Sequence, residues 1–206
     1  MELSSAVRRR RMVRAYDPDR PVPAQVVQEL LDLAVRAPSA GHSQGRDFVV
    51  LAEAADRAAF WAATTEPGAA PDRWLLGMRT APVLVLCCSD PGAYRRRYAE
   101  ADKARAAAER AEREWPVPYW DVDTGMAAMV LLLAAVDAGL GACFFGVPPG
   151  REDAVREAFA VPADRRLVGV VSLGTPAPDR RSPSLARGRR PVEEVVSWGR
   201  FGRPRP

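Results

Sequence analysis

The sequence predicts a single α+β domain in which a central helix lies under a sheet. Four short apolar runs have the length of buried strands, and helical patterns separate them at irregular intervals. The chain has 206 residues, enough for one substantial hydrophobic core. The sequence contains no repeat and no convincing internal boundary, so we expect residues 1–206 to form one domain.

The amino-acid composition indicates which broad class of protein this chain belongs to. A hydrophobic fraction of 48% and a charged fraction of 27% are typical of soluble globular proteins. The charged N-terminus lacks an apolar signal segment, and the longest apolar run is shorter than the about 20 residues that span a bilayer. We expect a cytoplasmic protein with reduced thiols at Cys87, Cys88 and Cys143. With His42 as the only histidine and no zinc-ligand spacing, we expect no metal site and no Ser-His-Asp triad.

The net charge of +4 raises the question of nucleic-acid binding. Lys103 is the only lysine among 30 basic residues, and the arginines are spread along the whole chain with acidic residues between them. The sequence contains no zinc-finger and no aromatic RNA-binding motif. We therefore expect neither a nucleic-acid partner nor a membrane partner.

The first elements combine a basic segment with an amphipathic helix. Ser4 or Ser5 is predicted to cap a short helix that leads into four consecutive arginines, residues 8–11. Such a run is either a solvated face or a site for a dianion, because guanidinium groups bind phosphate in a bidentate manner. After a turn at residues 17–21, Pro23 opens a helix. Its apolar face consists of Val26, Val27, Leu30, Leu31 and Ala34.

Residues 36–50 form the predicted connection between that helix and the first strand. Pro38 disfavours helix at the preceding residue, and the small residues at 39–41 let a flat ligand approach the backbone. Polar side chains that could hold the edge of a ligand are Ser39, His42, Ser43 and Gln44. The alternative interpretation is an ordinary polar loop.

The middle of the chain is predicted to contain strands at 48–51 and 82–88 and helices at 53–64 and 74–79. A charged segment from Asp90 to Glu114 suits an exposed helix with i,i+4 pairs. Residues 115–120 contain three aromatic residues and two prolines. This stretch either fills the core or forms a wall over a planar substrate.

The last third contains the central helix and the tail. Asp121, Asp123 or Thr124 is predicted to cap a helix that is apolar nearly all round and ends at Gly139 or Gly141. Strands at 142–145 and 167–173 flank a helix at 151–160. A tail rich in proline and arginine ends in an apolar element at 192–198, and we expect it to wrap a partner subunit.

Three ordered motifs carry a family resemblance. Residues 10–18 match a basic signature followed by an aromatic residue and a proline, and residues 37–44 match an Ala-Pro-Ser helix-to-strand signature. Residues 187–198 match a basic run followed by Val-Glu-Glu-Val-Val-Ser-Trp, and residues 139–146 resemble a segment that lies along a flavin. On these motifs the chain resembles the FMN-dependent nitroreductase family, also called oxygen-insensitive nitroreductases or NAD(P)H:flavin-type oxidoreductases.

The resemblance implies a nitroreductase-like fold with a central mixed or antiparallel sheet flanked by helices. It also implies a homodimer with an exchanged C-terminal tail and two FMN sites, each built from both chains. The implied reaction is ping-pong hydride transfer, in which NAD(P)H reduces FMN at N5 and a nitroaromatic or quinone then takes the electrons. No side chain is needed as a catalytic acid or base.

The resemblance assigns site residues by position. The FMN phosphate and ribityl chain would contact Arg10, Arg11, Arg14, Arg187 and Arg189, with Met12 in the same motif. The flavin edge would contact five residues of the partner subunit: Pro38, Ser39, Ala40, His42 and Gln44. Flavin N5 would face the backbone of Phe145 and Gly146. Independently of the resemblance, the aromatic stretch and the small residues of the loop predict a substrate pocket that includes Gly41, Trp115, Tyr119 and Trp120.

Two departures from the family pattern concern the same loop. His42 stands where the family usually has asparagine, and Gly45-Arg46 replaces the common Pro-Trp. His42 and Arg46 could therefore change substrate preference or flavin potential, or His42 could be an ordinary loop histidine. Two other functions stay open: a family member dedicated to one metabolite, and a non-catalytic flavin or nucleic-acid binder.

Overall fold

The computed structural model describes residues 1–66, 68–103, 115–179 and 182–205. The helices in this part of the chain are α1 (Leu3–Arg9), α2 (Ala24–Ala34), α3 (Ala54–Thr64), α4 (Arg73–Met78), α5 (Pro91–Ala99), α6 (Tyr119–Asp137), α7 (Glu152–Ala158) and α8 (Val192–Val195). The strands are β1 (Arg46–Leu51), β2 (Val83–Ser89), β3 (Gly141–Phe145) and β4 (Arg166–Gly174). Two short 3₁₀ turns cover Ala40–His42 and Pro183–Arg187.

The four strands form one antiparallel sheet in the order β1-β2-β4-β3. The predicted α+β class and the four predicted strands are confirmed, with strand ends shifted by one or two residues. All seven residues of β2 are buried, which explains why the strand reads as a continuous apolar run. Alternate β2 residues enter two separate cores, Val83 and Val85 on one face and Leu84 and Leu86 on the other.

Helices cover both faces of the sheet. On one face α6 packs with α2, and Leu131 and Ala135 of α6 are fully buried against β2 and β4. On the other face α3, α4 and α7 bring Phe60, Met78 and Val155 into the core. Helix α6 has the length and hydropathy of a membrane-spanning helix. Its contacts with the sheet show that it is the predicted central helix of the core.

Two predicted helix starts are wrong. Helix α1 follows Glu2, whose carbonyl accepts the first helical N–H groups, so Ser4 and Ser5 lie inside the helix. Helix α6 begins at Tyr119 after Pro118, so the three predicted caps lie inside it. The reason is that their side chains bind other groups: Asp121 binds Ser89 and Arg166, Asp123 binds Tyr94 and Ala40, and Thr124 donates to the Trp120 carbonyl.

The predicted end of α6 at Gly139 is confirmed. Gly139 has a φ of +74°. The N–H of Leu140 donates to the Ala135 carbonyl at 2.8 Å, and the N–H of Gly139 donates to the Val136 carbonyl at 3.1 Å. This is the Schellman arrangement, in which a left-handed residue closes the last turn. The charged helix predicted up to Glu114 ends at Ala99 within the described part, and residues 104–114 lie outside the described residues.

Candidate functional site

The basic N-terminal segment lies along the edge of the sheet. After α1 the chain is extended, and Val13 N–H donates to the Ala142 carbonyl of β3 at 2.9 Å. Met12 pairs with Ala142 in a parallel bridge, and its sulfur accepts the Phe144 N–H at 3.5 Å. The N–H of Tyr16 donates to the Thr80 hydroxyl at 2.8 Å. These contacts hold residues 10–16 against β3, so the arginines of this segment have a fixed position.

The charges of Arg10 and Arg14 both act on Cys143 of β3. Burial raises the pKa of the Cys143 thiol, and the positive charges of Arg14 and Arg10 partly oppose that shift. Nη1 of Arg10 is buried and has no hydrogen-bond partner among the described residues, whereas Nη1 of Arg14 donates to the Met12 carbonyl at 3.2 Å. A buried guanidinium nitrogen without a partner is costly. The pair is therefore suited to an anionic ligand at this edge.

The other predicted phosphate contacts lie elsewhere in the single chain. Arg11 lines a cavity of about 310 Å³ together with Arg9 and Val13. Successive side chains of an extended segment point to opposite sides, which separates Arg11 from Arg10. Arg187 and Arg189 are exposed in the tail. No hydrogen bond or ion pair among the residues that the structure describes joins them to the N-terminal arginines.

The predicted ligand loop has an unusual backbone. It connects α2 to β1, as the sequence predicts, and contains the 3₁₀ turn Ala40–His42. Gly41, His42 and Gln44 have φ values of +62°, +57° and +51°. Left-handed φ values are uncommon for residues other than glycine and often occur at ligand sites. The side chains of His42 and Gln44 are exposed, so both are free to meet a ligand or a second subunit.

Short hydrogen bonds fix this loop. The Ser39 hydroxyl accepts the Gln44 N–H at 3.0 Å, and the Ser43 hydroxyl donates to the Ala40 carbonyl at 2.7 Å. Nε of Arg97 on α5 donates to the Gly41 carbonyl at 2.9 Å. Pro38 is exposed at the start of the loop. The loop is therefore ordered by its own serines and by α5.

An aromatic cavity opens beside Phe145 and Gly146 at the end of β3. Its volume is about 290 Å³, and α3 and α4 form its walls. Trp61 stacks on Phe145 with ring centroids 5.9 Å apart and planes inclined by 8°, and Trp74 meets Phe145 edge-on at 5.6 Å. The sequence does not predict Trp61 and Trp74 as site residues, because aromatic residues in a helical pattern have the same spacing whether they fill a core or line a cavity. The shape and the walls suit a flat ring.

The four residues predicted for a substrate pocket lie together in a second aromatic cluster. The Tyr98 and Trp115 rings are 4.9 Å apart, and Trp115 meets Tyr119 and Trp120 at 6.0 Å each. A Cβ atom on Gly41 would lie 2.9 Å from the Tyr98 ring, so the loop rests directly on this cluster. Tyr94 and Tyr98 of α5, which the sequence analysis did not select, complete it.

Sequence comparisons agree with this geometry. The model of the nitroreductase family matches residues 7–175. A Methanothermobacter thermautotrophicus protein named as an NADH dehydrogenase/NAD(P)H nitroreductase is 28% identical over 182 residues, which cover 86% of this chain and 78% of that protein. A Thermus thermophilus protein named NADH dehydrogenase is 28% identical in an alignment of 218 positions, gaps included, that covers 96% of each chain.

Solved structures share the fold. A Desulfovibrio desulfuricans protein described as a nitroreductase in complex with FMN superposes with a TM-score of 0.72 at 24% identity, covering 98% of both chains. A nitroreductase family protein from Clostridium difficile superposes with a TM-score of 0.69 at 22% identity, covering 98% of this chain and 100% of that one. Together with the family match over residues 7–175, the extended basic segment and the four-stranded sheet identify the chain as a member of the nitroreductase family.

Proposed function

We propose that residues 1–206 form one FMN-dependent oxidoreductase that takes electrons from NADH or NADPH and reduces flat electrophiles such as nitroaromatics or quinones. Membership of the nitroreductase family supports the reaction class. The observation that carries the proposal is the buried Nη1 of Arg10, which has no partner among the described residues. Its charge, like that of Arg14, acts on Cys143 at the edge strand β3. A phosphate dianion would supply the missing acceptor.

The residues present fit FMN in both charge and shape. Arg10 and Arg14 would hold the phosphate, because guanidinium groups pair with phosphate oxygens through several N–H donors. Arg187 and Arg189 would join them with the tail of a partner subunit, and Arg11, on the other side of the extended segment, would add positive charge at longer range. The aromatic cavity next to Phe145 and Gly146 would accept part of a flat ring and exclude water from it.

Bound FMN would supply the hydride chemistry that side chains of this kind lack. The chain itself would bind, orient and shield the reactants. The arginines would balance negative charge, the backbone of Phe145 and Gly146 would face the reacting edge of the ring, and the exposed His42 and Gln44 would approach it from a partner subunit. Donor and acceptor would then use the same space in turn, which predicts ping-pong kinetics.

A homodimer is part of this proposal. The tail after residue 182 leaves large apolar side chains in solvent: Val192 is 62% exposed, Trp198 is 48% exposed and Phe201 is fully exposed. Exposed apolar groups in one short segment are a common mark of an interface. An exchanged tail would cover them on the second subunit and would bring Arg187 and Arg189 with it. Free thiols at all three cysteines are compatible with the cytoplasmic location that we propose.

An absorption spectrum of the freshly isolated protein, followed by mass analysis of the released cofactor, tests the proposal. We expect the visible bands of oxidised flavin and the mass of FMN. Initial rates with NADH or NADPH and menadione should give parallel lines in double-reciprocal plots. A colourless protein that also fails to bind added FMN would contradict the proposal. Bound FMN with negligible oxidation of either nucleotide would favour a family member dedicated to one metabolite.

A further inference from the structure

The side chain of Arg46 binds backbone carbonyls at the start of the loop between α2 and β1. Its Nη2 donates to the carbonyls of Val35 at 2.6 Å and Ala37 at 2.7 Å, and its Nη1 approaches the Pro38 carbonyl at 3.3 Å. These carbonyls follow the end of α2, where backbone acceptors lack partners within the helix. The planar guanidinium can reach several acceptors at once. Arg46 therefore caps the C-terminal end of α2 and fixes the position of the first residues of the loop.

Asp123 holds the same loop from the other side. It is only 3% exposed, and its Oδ2 accepts the Ala40 N–H at 2.7 Å and the Tyr94 hydroxyl at 2.6 Å. Burial, together with the Asp123 carboxylate, raises the pKa of Tyr94, so the hydroxyl stays protonated and donates. A buried carboxylate needs such partners. The loop amide is one of the two donors that satisfy it.

Two groups of opposite charge thus hold the connection between α2 and β1. The Arg46 guanidinium binds carbonyls at its start, and the Asp123 carboxylate accepts the Ala40 N–H. Gly45 completes the arrangement, because a Cβ atom there would lie 2.7 Å from both the Asp90 carbonyl oxygen and the Tyr94 ring. This explains Gly45-Arg46 in physical terms: glycine permits the close approach to α5, and arginine binds the carbonyls. Because the Arg46 guanidinium is engaged with these carbonyls, an effect of Arg46 on substrate preference or flavin potential would act through the loop.

We propose that Arg46 and Asp123 are positioning residues that act through the loop of residues 39–44. They hold its left-handed backbone at His42 and Gln44 in one conformation and thereby set its contact with the flavin edge. The effect on the flavin contact rests on the proposed function. The restraint that Arg46 and Asp123 place on the loop, called the clamp below, can be measured in the flavin-free protein.

The test compares Arg46→Met and Asp123→Ala with the control Arg57→Met and the conservative variant Asp123→Asn. Arg57→Met removes a guanidinium that donates to the Ala52 carbonyl, which lies outside the loop. Asp123→Asn keeps an oxygen that can accept the Ala40 N–H. Hydrogen–deuterium exchange of the amides of residues 39–44 reports the clamp in the flavin-free protein. The FMN dissociation constant and the reduction potential of the bound flavin report the contact.

We expect exchange in the loop to become about tenfold faster and FMN binding about tenfold weaker in Arg46→Met and Asp123→Ala, the scale of one charge-assisted hydrogen bond. The reduction potential should shift in both, Arg57→Met should resemble the wild type, and Asp123→Asn should lie between the wild type and Asp123→Ala, because its amide oxygen accepts without the charge. Unchanged loop exchange would overturn the clamp. Faster exchange with unchanged FMN affinity and potential would overturn the positioning role. A wild-type protein that binds no FMN would reject the proposed function and the positioning role together, while the exchange data would still decide the clamp.

Discussion

The hydroxyl of Tyr16 lies 2.7 Å from the hydroxyl oxygen of Ser172 on the central strand β4. The same Tyr16 hydroxyl is 2.7 Å from the Val13 carbonyl oxygen, to which it donates, and the whole side chain is buried. One phenol therefore joins the basic N-terminal segment to the middle of the sheet. The arginines next to it are positioned by the core of the protein and not by surface contacts.

Tyr16→Phe is expected to destabilise the protein by about 1–3 kcal/mol, because the change removes these hydrogen bonds from a buried site. Urea unfolding of the wild type and the variant measures the difference. In a double-mutant cycle with Ser172→Ala, the two losses should be non-additive, since both substitutions break the same contact. Strictly additive losses would show that the Tyr16–Ser172 contact contributes nothing.

Arg10→Ala or Arg14→Ala should weaken FMN binding by about 1.5–3 kcal/mol, the range for a hydrogen bond to a charged group. Fluorescence titration of the flavin-free protein measures the dissociation constant. Arg8→Ala is the matched control, because Arg8 is an exposed arginine of α1 and should leave the affinity unchanged. Equal affinities in all three variants and the wild type would contradict the phosphate assignment.

Gly45→Ala and Gly125→Ala should change stability in opposite directions. A Cβ atom at Gly45 would meet the Asp90 carbonyl oxygen at 2.7 Å, and such overpacking costs about 1–3 kcal/mol. Gly125 lies inside α6, and beyond the backbone of its own helix no atom of the described residues lies within 4 Å of an added Cβ, so alanine there should stabilise the helix by about 0.5–1 kcal/mol. Chemical unfolding of both variants checks the signs. Changes of the same sign would contradict the described packing around one of the two glycines.

The contribution of Asp90 should depend on pH. Burial opposes ionisation of Asp90, but the hydrogen bond from Arg96 and the charges of Arg165 and Arg96 outweigh it and lower its pKa below the ordinary value. A lowered folded-state pKa stabilises the fold above the unfolded-state pKa of about 4, and this stabilisation is lost as the pH falls through the folded-state value.

Asp90→Asn should therefore cost about 1–3 kcal/mol near pH 7, and the cost should shrink steadily below about pH 4. Unfolding free energies of both proteins across this range measure the effect. Asp153→Asn is the control, because the Asp153 side chain is fully exposed in its pair with Arg156 and should leave stability unchanged. A cost for Asp90→Asn that does not vary with pH would contradict the assignment.

The sequence predicts those parts of the fold whose signal is local. Strand β2 reads as an apolar run because both of its faces are buried, and Gly139 marks the end of α6 because only glycine adopts its φ readily. The start of α6 was not predictable in the same way. Asp121 and Asp123 resemble helix caps in sequence, but their partners Ser89, Ala40 and Tyr94 are remote along the chain.

The residues of the candidate site also divide into those with a local sequence signal and those that come together only in the folded chain. The motifs locate Arg10, Arg14 and the loop of residues 39–44. They do not predict that Arg11 lies in a different cavity, which follows from the extended backbone of the segment. They also do not predict the cavity walls at Trp61 and Trp74, because these residues come from α3 and α4 and meet Phe145 only after the chain has folded.

The C-terminal tail from residue 182 onward contributes almost no side chain to the two cores of the sheet. The two cores of the sheet can therefore form without side chains from this tail. Substitutions in the tail can diversify without threatening the integrity of the scaffold. A shortened chain that ends before residue 182 should accordingly keep the sheet and both of its cores.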